Sequence, residues 1–74
     1  MLTKEETLLM LGREIRFLRN RKGLTQRELS EKVKVCRTYI SELEHGKKNI
    51  AYILLCKIFN ELDYEPIFII ERNN

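Results

Sequence analysis

The first part of the chain carries apolar residues at the three- and four-residue spacing of a helix. Thr3 and Glu6 have the spacing of a capping box, in which two side chains satisfy free backbone groups at a helix start. Gly23 supplies the left-handed stop that ends many helices, so the pattern predicts a first helix ending near Lys22. Its apolar face consists of Leu8, Leu11, Ile15 and Leu18.

A second, shorter helix is predicted directly afterwards. Thr25 and Glu28 repeat the capping-box spacing at the start of the sequence QRELSEKV. Leu29 and Val33 are one helical turn apart, so their side chains face the same way. The stretch therefore predicts a short helix with its apolar face turned inward.

A third helix follows a brief turn at roughly residues 34–36. The sequence RTYISELEH places Ile40 and Leu43 on one inner face, and Gly46 ends the helix. Two short helices with apolar inner faces, joined by such a turn, form a helix-turn-helix, whose second helix can enter the major groove of DNA. The pattern predicts this motif over about residues 25–45.

The segment from Ile50 to Leu62 has more apolar positions than one helical face needs. We expect a fourth helix that is buried on two sides. The side that meets its own core consists of Leu55, Ile58, Phe59 and Leu62. The other side leaves Ile53 and Leu54 to contact something else.

The stretch EPIFII at residues 65–70 predicts a short strand with apolar residues on both faces. A solvated edge strand would carry charges, so this one requires a partner. We expect it to pair with the same segment of a second copy and to pack on the surplus face of the fourth helix. A tail folded back over its own core is the alternative. The expected dimer interface comprises Ile53, Leu54, Ile67, Phe68, Ile69 and Ile70.

Composition indicates one small domain. The 74 residues are 43% apolar and 34% charged, which is typical of a globular domain of marginal stability. We expect residues 1–64 to form this domain and residues 65–71 to form the dimerisation strand. No apolar run is long enough to span a bilayer, and the acidic N-terminal stretch lacks signal-peptide features, so we expect a cytoplasmic protein without membrane partners.

Candidate groups for catalysis or metal binding are scarce. Cys36, Cys56 and His45 are too few for a four-ligand zinc site without a carboxylate, and their spacing fits no metal pattern. We expect neither a metal nor another cofactor. The sequence contains no glycine-rich phosphate loop, nucleophile constellation or paired catalytic carboxylates, so we do not expect an enzyme.

Basic residues are concentrated in the middle of the chain. Residues 13–48 hold eleven Lys and Arg against five Asp and Glu, which gives +6, whereas residues 1–12 give −1 and residues 49–74 give −2. Such a charge run is most often a solvated face. Its position on the predicted helix-turn-helix makes a DNA backbone the partner to consider.

The stretch LGREIRFLRNRKGLTQRELSEKVKVCRTYISELEHGK resembles the helix-turn-helix of the lambda-repressor and Cro type, also called the XRE family. The resemblance runs from about Leu11 to Leu62, and GLTQRELS and ISELEHGK at their expected separation are its most specific parts. It implies a mainly α, lambda-repressor-like domain of four to five helices, to which the short C-terminal β-strand is added. It also implies a transcriptional regulator that binds double-stranded DNA.

The resemblance implies roles for residues at matching positions. Base edges would be read from the opening of the third helix and one turn further on, by Cys36, Arg37, Thr38 and Glu42. The DNA backbone would be contacted by Thr25, Gln26, Tyr39, His45, Lys47 and Lys48. Arg19 and Glu44 match a family pair that forms an ion pair between the first and third helices.

These residue types suit the implied roles. Arginine can donate two hydrogen bonds to guanine, threonine can contact a thymine methyl group, and glutamate can accept from the amino group of cytosine. Gln26 lies at a helix N-terminus, where free N–H groups favour a phosphate. The alternative is that Arg37, Thr38 and Glu42 are ordinary solvent-exposed helix residues.

Two positions depart from the family pattern. Lys34 stands where glycine is usual in the turn, and Cys36 stands where serine or threonine usually caps the third helix. A lysine in a left-handed conformation costs roughly 1 kcal/mol more than glycine, and a thiol accepts hydrogen bonds poorly. A helix N-terminus and Arg37 would lower the pKa of a thiol here, so a reactive-thiol role for Cys36 is a minor alternative.

The helix-turn-helix followed by a hydrophobic strand also resembles HipB-type antitoxins, which repress their own operon and bind a kinase toxin. Phage repressors and restriction-modification controller proteins share much the same DNA-binding core. We therefore expect a repressor that binds a palindromic operator as a homodimer, with an autoregulating antitoxin as one subtype and a toxin as its partner. A protein-interaction module that uses the tail strand is the alternative from another class.

Overall fold

The structure is a computed structural model, and it describes residues 1–64. These residues form four helices, namely α1 (Lys4–Lys22), α2 (Gln26–Val33), α3 (Arg37–Glu44) and α4 (Tyr52–Glu61). The fold is mainly helical, as the sequence predicted. The predicted strand, with Ile67, Phe68, Ile69 and Ile70, lies outside the described residues. Within the described range, none of the helices has the length and apolar character needed to cross a membrane.

The starts of α1 and α2 are fixed by the two predicted capping boxes. The Thr3 hydroxyl accepts a hydrogen bond from the Glu6 backbone N–H at 3.1 Å, and the Glu6 carboxylate accepts one from the Thr3 N–H at 2.9 Å. Thr25 and Glu28 form the same pair of bonds, at 3.0 and 2.8 Å. The backbone N–H of Thr25, which donates to the Glu28 carboxylate, holds the pKa of that carboxyl below its ordinary value.

Each of the four helices is followed by a residue in the left-handed conformation. The next residue donates a backbone hydrogen bond that closes the last turn, as in a Schellman motif. The left-handed residues are Gly23, Lys34, Gly46 and Asp63. The closing bonds run from Leu24 to Arg19, from Val35 to Ser30, from Lys47 to Glu42 and from Tyr64 to Phe59, at 2.9 to 3.1 Å. Lys34 and Asp63 lack glycine's freedom at positive φ, so each costs roughly 1 kcal/mol. The sequence pointed to Lys34, whereas Asp63 was not anticipated.

One apolar core joins the helices, because α3 packs on α1 and α2, and α2 packs on α4. The core consists of Ile15, Leu18, Leu29, Val33, Ile40, Leu43, Leu55, Ile58, Phe59 and Leu62. All of these were expected on inner faces. Leu8 and Leu11, which were expected on the same face of α1, are half-buried. The core therefore fixes the orientation of α3 relative to α1 and α2.

The fourth helix differs from its prediction in two respects. It begins at Tyr52, not at Ile50, and Ala51 at its N-cap provides no side-chain hydrogen bond. Leu54 was expected to be surplus apolar surface, but it is half-buried and packs against the core. It lies one helical turn before Ile58 and so shares its inward face. Ile53 is 71% exposed and remains surface.

Candidate nucleic-acid interface

The third helix presents opposite faces to the core and to solvent. Ile40, Leu43 and Glu44 are buried, whereas Arg37 and Thr38 in its first turn are exposed. Cys36 precedes the helix, is exposed, and makes no side-chain hydrogen bond to the free N–H groups of the helix. The first turn of α3 is therefore accessible to a partner.

The C-terminal end of α3 is fastened to α1 by a buried ion pair. The Arg19 Nε donates to Glu44 Oε2 at 2.6 Å, and Nη2 donates to Oε1 at 3.0 Å. The remaining Arg19 nitrogen, Nη1, donates to the Leu24 carbonyl oxygen at 2.7 Å. The two side chains are 10% and 1% exposed, so the charges are removed from water and depend on each other. The structure thus brings together the two residues expected to pair.

Gln26 extends this ion pair toward the exposed end of α3. Its Nε2 donates to Glu44 Oε1 at 3.1 Å, and its Oε1 accepts from Arg37 Nη1 at 3.1 Å. A continuous set of polar contacts therefore runs from Arg19 through Glu44 and Gln26 to Arg37. Sequence spacing gave no sign of this link, because it joins the first residue of α2 to both ends of α3.

Two glycines allow the C-terminal end of α3 to approach α1 closely. A Cβ on Gly12 would overlap the carbonyl oxygen of Leu43 and would lie 2.8 Å from that of Glu44. Gly46, at a φ of 71°, would place a Cβ 2.8 Å from the Leu9 Cα. Sequence reasoning singled out Gly46 only as a helix stop and missed Gly12. A glycine inside the apolar pattern of a helix was the signal available.

Glu42, Tyr39 and Lys48 form a second polar group beside α3. Lys48 Nζ lies 3.5 Å from Glu42 Oε1 and 5.3 Å from the centroid of the Tyr39 ring. The Tyr39 hydroxyl donates to the Asn49 carbonyl oxygen at 3.4 Å. Lys48 was expected to contact a phosphate and Glu42 to contact a base. Here they partly neutralise each other at a half-exposed site, so the net charge that this group presents at the surface is reduced.

The other residues that were expected to contact a DNA backbone are also exposed. Lys47 is exposed directly after α3, and no ion pair is formed by its side chain within residues 1–64. His45 is exposed, with Nδ1 2.7 Å from the Ser41 carbonyl oxygen, an acceptor that requires the proton on Nδ1. The exposed Thr25 uses its hydroxyl as the cap of α2. Within the described residues, His, Cys, Asp and Glu form no group of three that could hold a metal ion.

Comparison with known proteins identifies the family. A family model described as helix-turn-helix matches residues 15–69, a range that includes all of α2, α3 and α4. Over 66 residues the chain is 35% identical to the competence pilus inhibition repressor of Acinetobacter baylyi, with 85% of this chain and 59% of the relative covered. The chain thus spans well under two thirds of the length of that curated relative.

Solved structures of bacterial regulators have the same fold. The clp gene regulator ClgR from Corynebacterium glutamicum is 32% identical, with a TM-score of 0.79 over 93% of this chain and 70% of that protein. The restriction-modification controller C.AhdI from Aeromonas hydrophila is 32% identical, with a TM-score of 0.78 over 85% of this chain and 96% of that protein. The controller C.Esp1396I, solved as a tetramer with its natural 35 base-pair operator, is 31% identical, with a TM-score of 0.73 over 88% of this chain and 86% of that protein.

The family match covers most of the chain. The chain is also 32% identical to C.AhdI over 96% of that protein. The buried face of α3, its exposed first turn and its connection to α2 agree with the geometry of a recognition helix. The chain belongs to the XRE-type helix-turn-helix family, and its relatives are transcriptional regulators.

Proposed function

We propose that the protein is a sequence-specific transcriptional repressor that binds a palindromic operator as a homodimer. The observation that carries this proposal is the orientation of α3. Its C-terminal end is held by the buried Arg19–Glu44 pair, while Arg37 and Thr38 are exposed at its start. A helix supported in this way can place its first turn against base edges in a major groove.

The charges around α3 support the same proposal. Arg37 and Lys47 are exposed at the two ends of the helix, and Lys48 lies beside its last turn. In this proposal Arg37, Thr38, Glu42 and Cys36 face bases, and Thr25, Gln26, Tyr39, His45, Lys47 and Lys48 face the backbone. Backbone contacts of this kind supply most of the salt-dependent part of DNA affinity. The operator complex of C.Esp1396I supports duplex DNA as the partner.

The proposed dimer rests on the apolar surface of α4 and on the sequence that follows it. Ile53 is 71% exposed, and Leu54 beside it is half-buried. Strand exchange through residues 65–71 would cover this surface in both subunits. A two-fold dimer of helix-turn-helix domains presents recognition helices about 34 Å apart, which is one turn of DNA. The half-sites would then be related by a dyad.

Selection of binding sites from random duplexes by the purified protein tests this proposal. We expect an enriched motif with two half-sites related by a dyad and centred about one helical turn apart. Arg37→Ala and Lys47→Ala should weaken binding, while Arg16→Ala on α1 serves as a control that removes a charge elsewhere. No enrichment at low salt, with a folded protein, would contradict the proposal.

Removal of residues 66–74 tests the dimer separately. A monomer that no longer binds the palindrome would support strand exchange, and size measurement by light scattering is the readout. An unchanged dimer would mean that the tail serves another partner, which favours the protein-interaction module. A toxin as that partner has no support among the relatives described above, which are regulators.

A restriction-modification controller is the second candidate for the biological role. The likeness extends over 96% of C.AhdI, but over only 59% of the competence repressor. A footprint on the DNA upstream of the protein's own coding region would show whether it regulates itself. A reporter fused to that DNA would separate repression from activation, because added protein would lower or raise its transcription.

A further inference from the structure

We propose that a cleft between α2 and α4 binds Glu71 from the tail of a second copy of the chain. The inference rests on the proposed function, because it assigns a contact within the proposed homodimer. The cleft has a volume of about 240 Å³. We call it the lysine cleft, and its lining residues are Lys32, Val33, Lys34, Lys57, Asn60 and Glu61.

The lysine cleft carries more positive charge than its own residues neutralise. Three of its lining residues are lysines and one is an acid. The side chains of Lys34 and Lys57 are exposed and form no ion pair or hydrogen bond with another residue in the range 1–64. Lys32 is likewise exposed, and it acts electrostatically on Glu28, one turn before it on α2. An anionic group is therefore attracted to this cleft.

The lysine cleft continues into the exposed apolar surface of α4. Ile53, Lys57 and Asn60 recur at four- and three-residue spacing, so they lie on one face of that helix. Ile53 is 71% exposed. A DNA backbone would neutralise the lysines but would leave this isoleucine in water. A partner segment that is both acidic and apolar would cover the whole face.

The tail of the chain has this composition. The sequence EPIFIIE at residues 65–71 places four bulky apolar residues between two glutamates and contains no lysine or arginine. Exchange of this segment between subunits would bring apolar residues to Ile53 and a carboxylate to the lysines. Successive side chains of an extended segment point to opposite sides, so Arg72 would point away from a cleft that receives Glu71.

The course of the chain after α4 favours Glu71 over Glu65, and a second copy over the same subunit. The Asp63 carboxylate accepts a hydrogen bond from Lys22 Nζ at 2.5 Å. The chain thus leaves α4 beside the end of α1, whereas the lysine cleft lies beside the end of α2. Glu65 follows closely after this fixed point. Glu71 is eight residues beyond Asp63, and an extended chain of that length reaches up to about 27 Å, which is enough to cross to another subunit.

Charge reversal distinguishes a contact between subunits from a contact within one subunit. Lys57→Glu or Glu71→Lys alone brings like charges together at both copies of the contact in a two-fold dimer. When the two variants are mixed, a heterodimer has one unchanged contact and one contact in which the two reversed charges attract each other. A contact within one subunit would gain nothing from mixing.

The experiment measures the dimer dissociation constant of the full-length protein by sedimentation equilibrium, at low salt and without DNA. We expect each variant alone to raise this constant at least about tenfold, and the mixture to form a heterodimer at least about fivefold tighter than either homodimer. Arg16→Glu, a charge reversal at an exposed site of α1, is the matched control and should leave the constant unchanged. Thermal unfolding shows whether each variant is folded.

Zero-length cross-linking of the unchanged protein is the second measurement and needs no variant. A carbodiimide joins a carboxylate directly to a lysine amine that lies in contact with it. In a mixture of isotopically labelled and unlabelled protein, we expect linked peptides that join Glu71 of one copy to a lysine of the lysine cleft in the other. Lys4, an exposed lysine of α1, is the internal control and should form no such link.

Two outcomes would overturn the inference. Links between Glu71 and the lysine cleft within single copies only, with no gain on mixing, would assign the tail to its own subunit. An unchanged dissociation constant in both variants would assign the dimer to other contacts, and a lower salt slope of DNA binding in Lys57→Glu would then assign the cleft to a DNA backbone. In each case a wild type that still selects a dyad-related motif leaves the proposed function intact, whereas a monomeric wild type without any sequence preference refutes that function itself.

Discussion

The two ends of α3 are built in opposite ways. At its C-terminal end Glu44 is buried against Arg19, and the adjoining backbone touches Gly12 of α1. At its N-terminal end Cys36 caps nothing with its side chain, and Arg37 is exposed. The contacts that anchor α3 and its exposed polar surface are thus separated along a helix of only eight residues.

Because of this separation, a short helix can expose polar side chains while its position on the domain stays fixed. An isolated helix of this length is marginal in water, so its order must come from tertiary packing. The packing lies at one end and on the inner face through Ile40 and Leu43. Changes at the anchored end should therefore affect folding first, and changes at the open end should affect DNA binding with little loss of stability.

Removal of Arg19 should have the largest effect on the anchored end. Arg19→Met keeps much of the apolar volume but leaves the Glu44 carboxylate buried without its partner. We expect a loss of about 3–5 kcal/mol in unfolding free energy. Thermal unfolding should show a fall of more than about 12 °C in Tm.

Arg16→Met is the matched control for this prediction, because Arg16 is an exposed arginine of the same helix. Its loss should change Tm by little. A second test is Arg19→Met combined with Glu44→Leu, which removes both charges and should recover much of the stability. Equal Tm values for Arg19→Met and Arg16→Met would show that the ion pair does not anchor α3.

Gly12→Ala should have the next largest effect. The added Cβ meets backbone carbonyl oxygens of Leu43 and Glu44, which cannot turn away as a flexible side chain could. We expect α1 and α3 to separate slightly, at a cost of about 3 kcal/mol, despite the better helix propensity of alanine. Denaturant unfolding measures the loss, and Asn20→Ala at an exposed site of α1 is the control. A stabilised Gly12→Ala protein would contradict the close approach.

Lys47 and Lys48 allow a smaller comparison at the rim of the proposed DNA-binding surface. Lys48 is partly neutralised by Glu42 at 3.5 Å, whereas the Lys47 side chain forms no ion pair within residues 1–64. If both meet phosphates, Lys47→Ala should lower the log–log salt slope by about 0.9, and Lys48→Ala should lower it less. Binding titrations over a range of salt concentrations measure both slopes.

The control for this comparison is Glu42→Gln, which releases Lys48 from its carboxylate partner. In that background Lys48→Ala should change the salt slope as much as Lys47→Ala does. Equal slopes for the two lysine variants in the wild-type background would show that the Glu42 contact is lost once DNA binds.

The sequence predicted what depends on local spacing. The capping boxes and the inward faces of α1 to α3 follow from residues three or four positions apart, and the left-handed helix stop follows from the glycine at position 23. The structure confirms these predictions. The start of α4 was placed two residues too early, because Ile50 and Ala51 carry no start signal. Leu54 was assigned to the surface because an apolar helix with two candidate faces does not reveal which one meets the core.

The contacts missed by the sequence join residues that are distant along the chain. Gly12 meets α3 only after α1 and α3 have packed, and Gln26 reaches Arg37 across the turn of the motif. Neither contact has a periodic signature. The family resemblance suggested the Arg19–Glu44 pair, but it assigned Gln26 a phosphate and gave no reason to connect it to that pair.

Cys36→Ser should have the smallest effect on stability. It would reduce the difference in stability between the two ends of α3. Cys36 already has the extended backbone of an N-cap, at φ −76° and ψ 156°. A serine hydroxyl at this position could accept from the backbone N–H of Tyr39, which here donates to the Cys36 carbonyl oxygen at 3.1 Å. We expect a gain of about 0.5–1 kcal/mol and slower hydrogen exchange in the first turn of α3, with the rest of the domain unchanged. Cys56→Ser in α4 is the control, since a hydroxyl at that half-buried site gains no cap. A gain in Cys36→Ser that spread evenly over all four helices would mean that the open end of α3 is not a separate weak point.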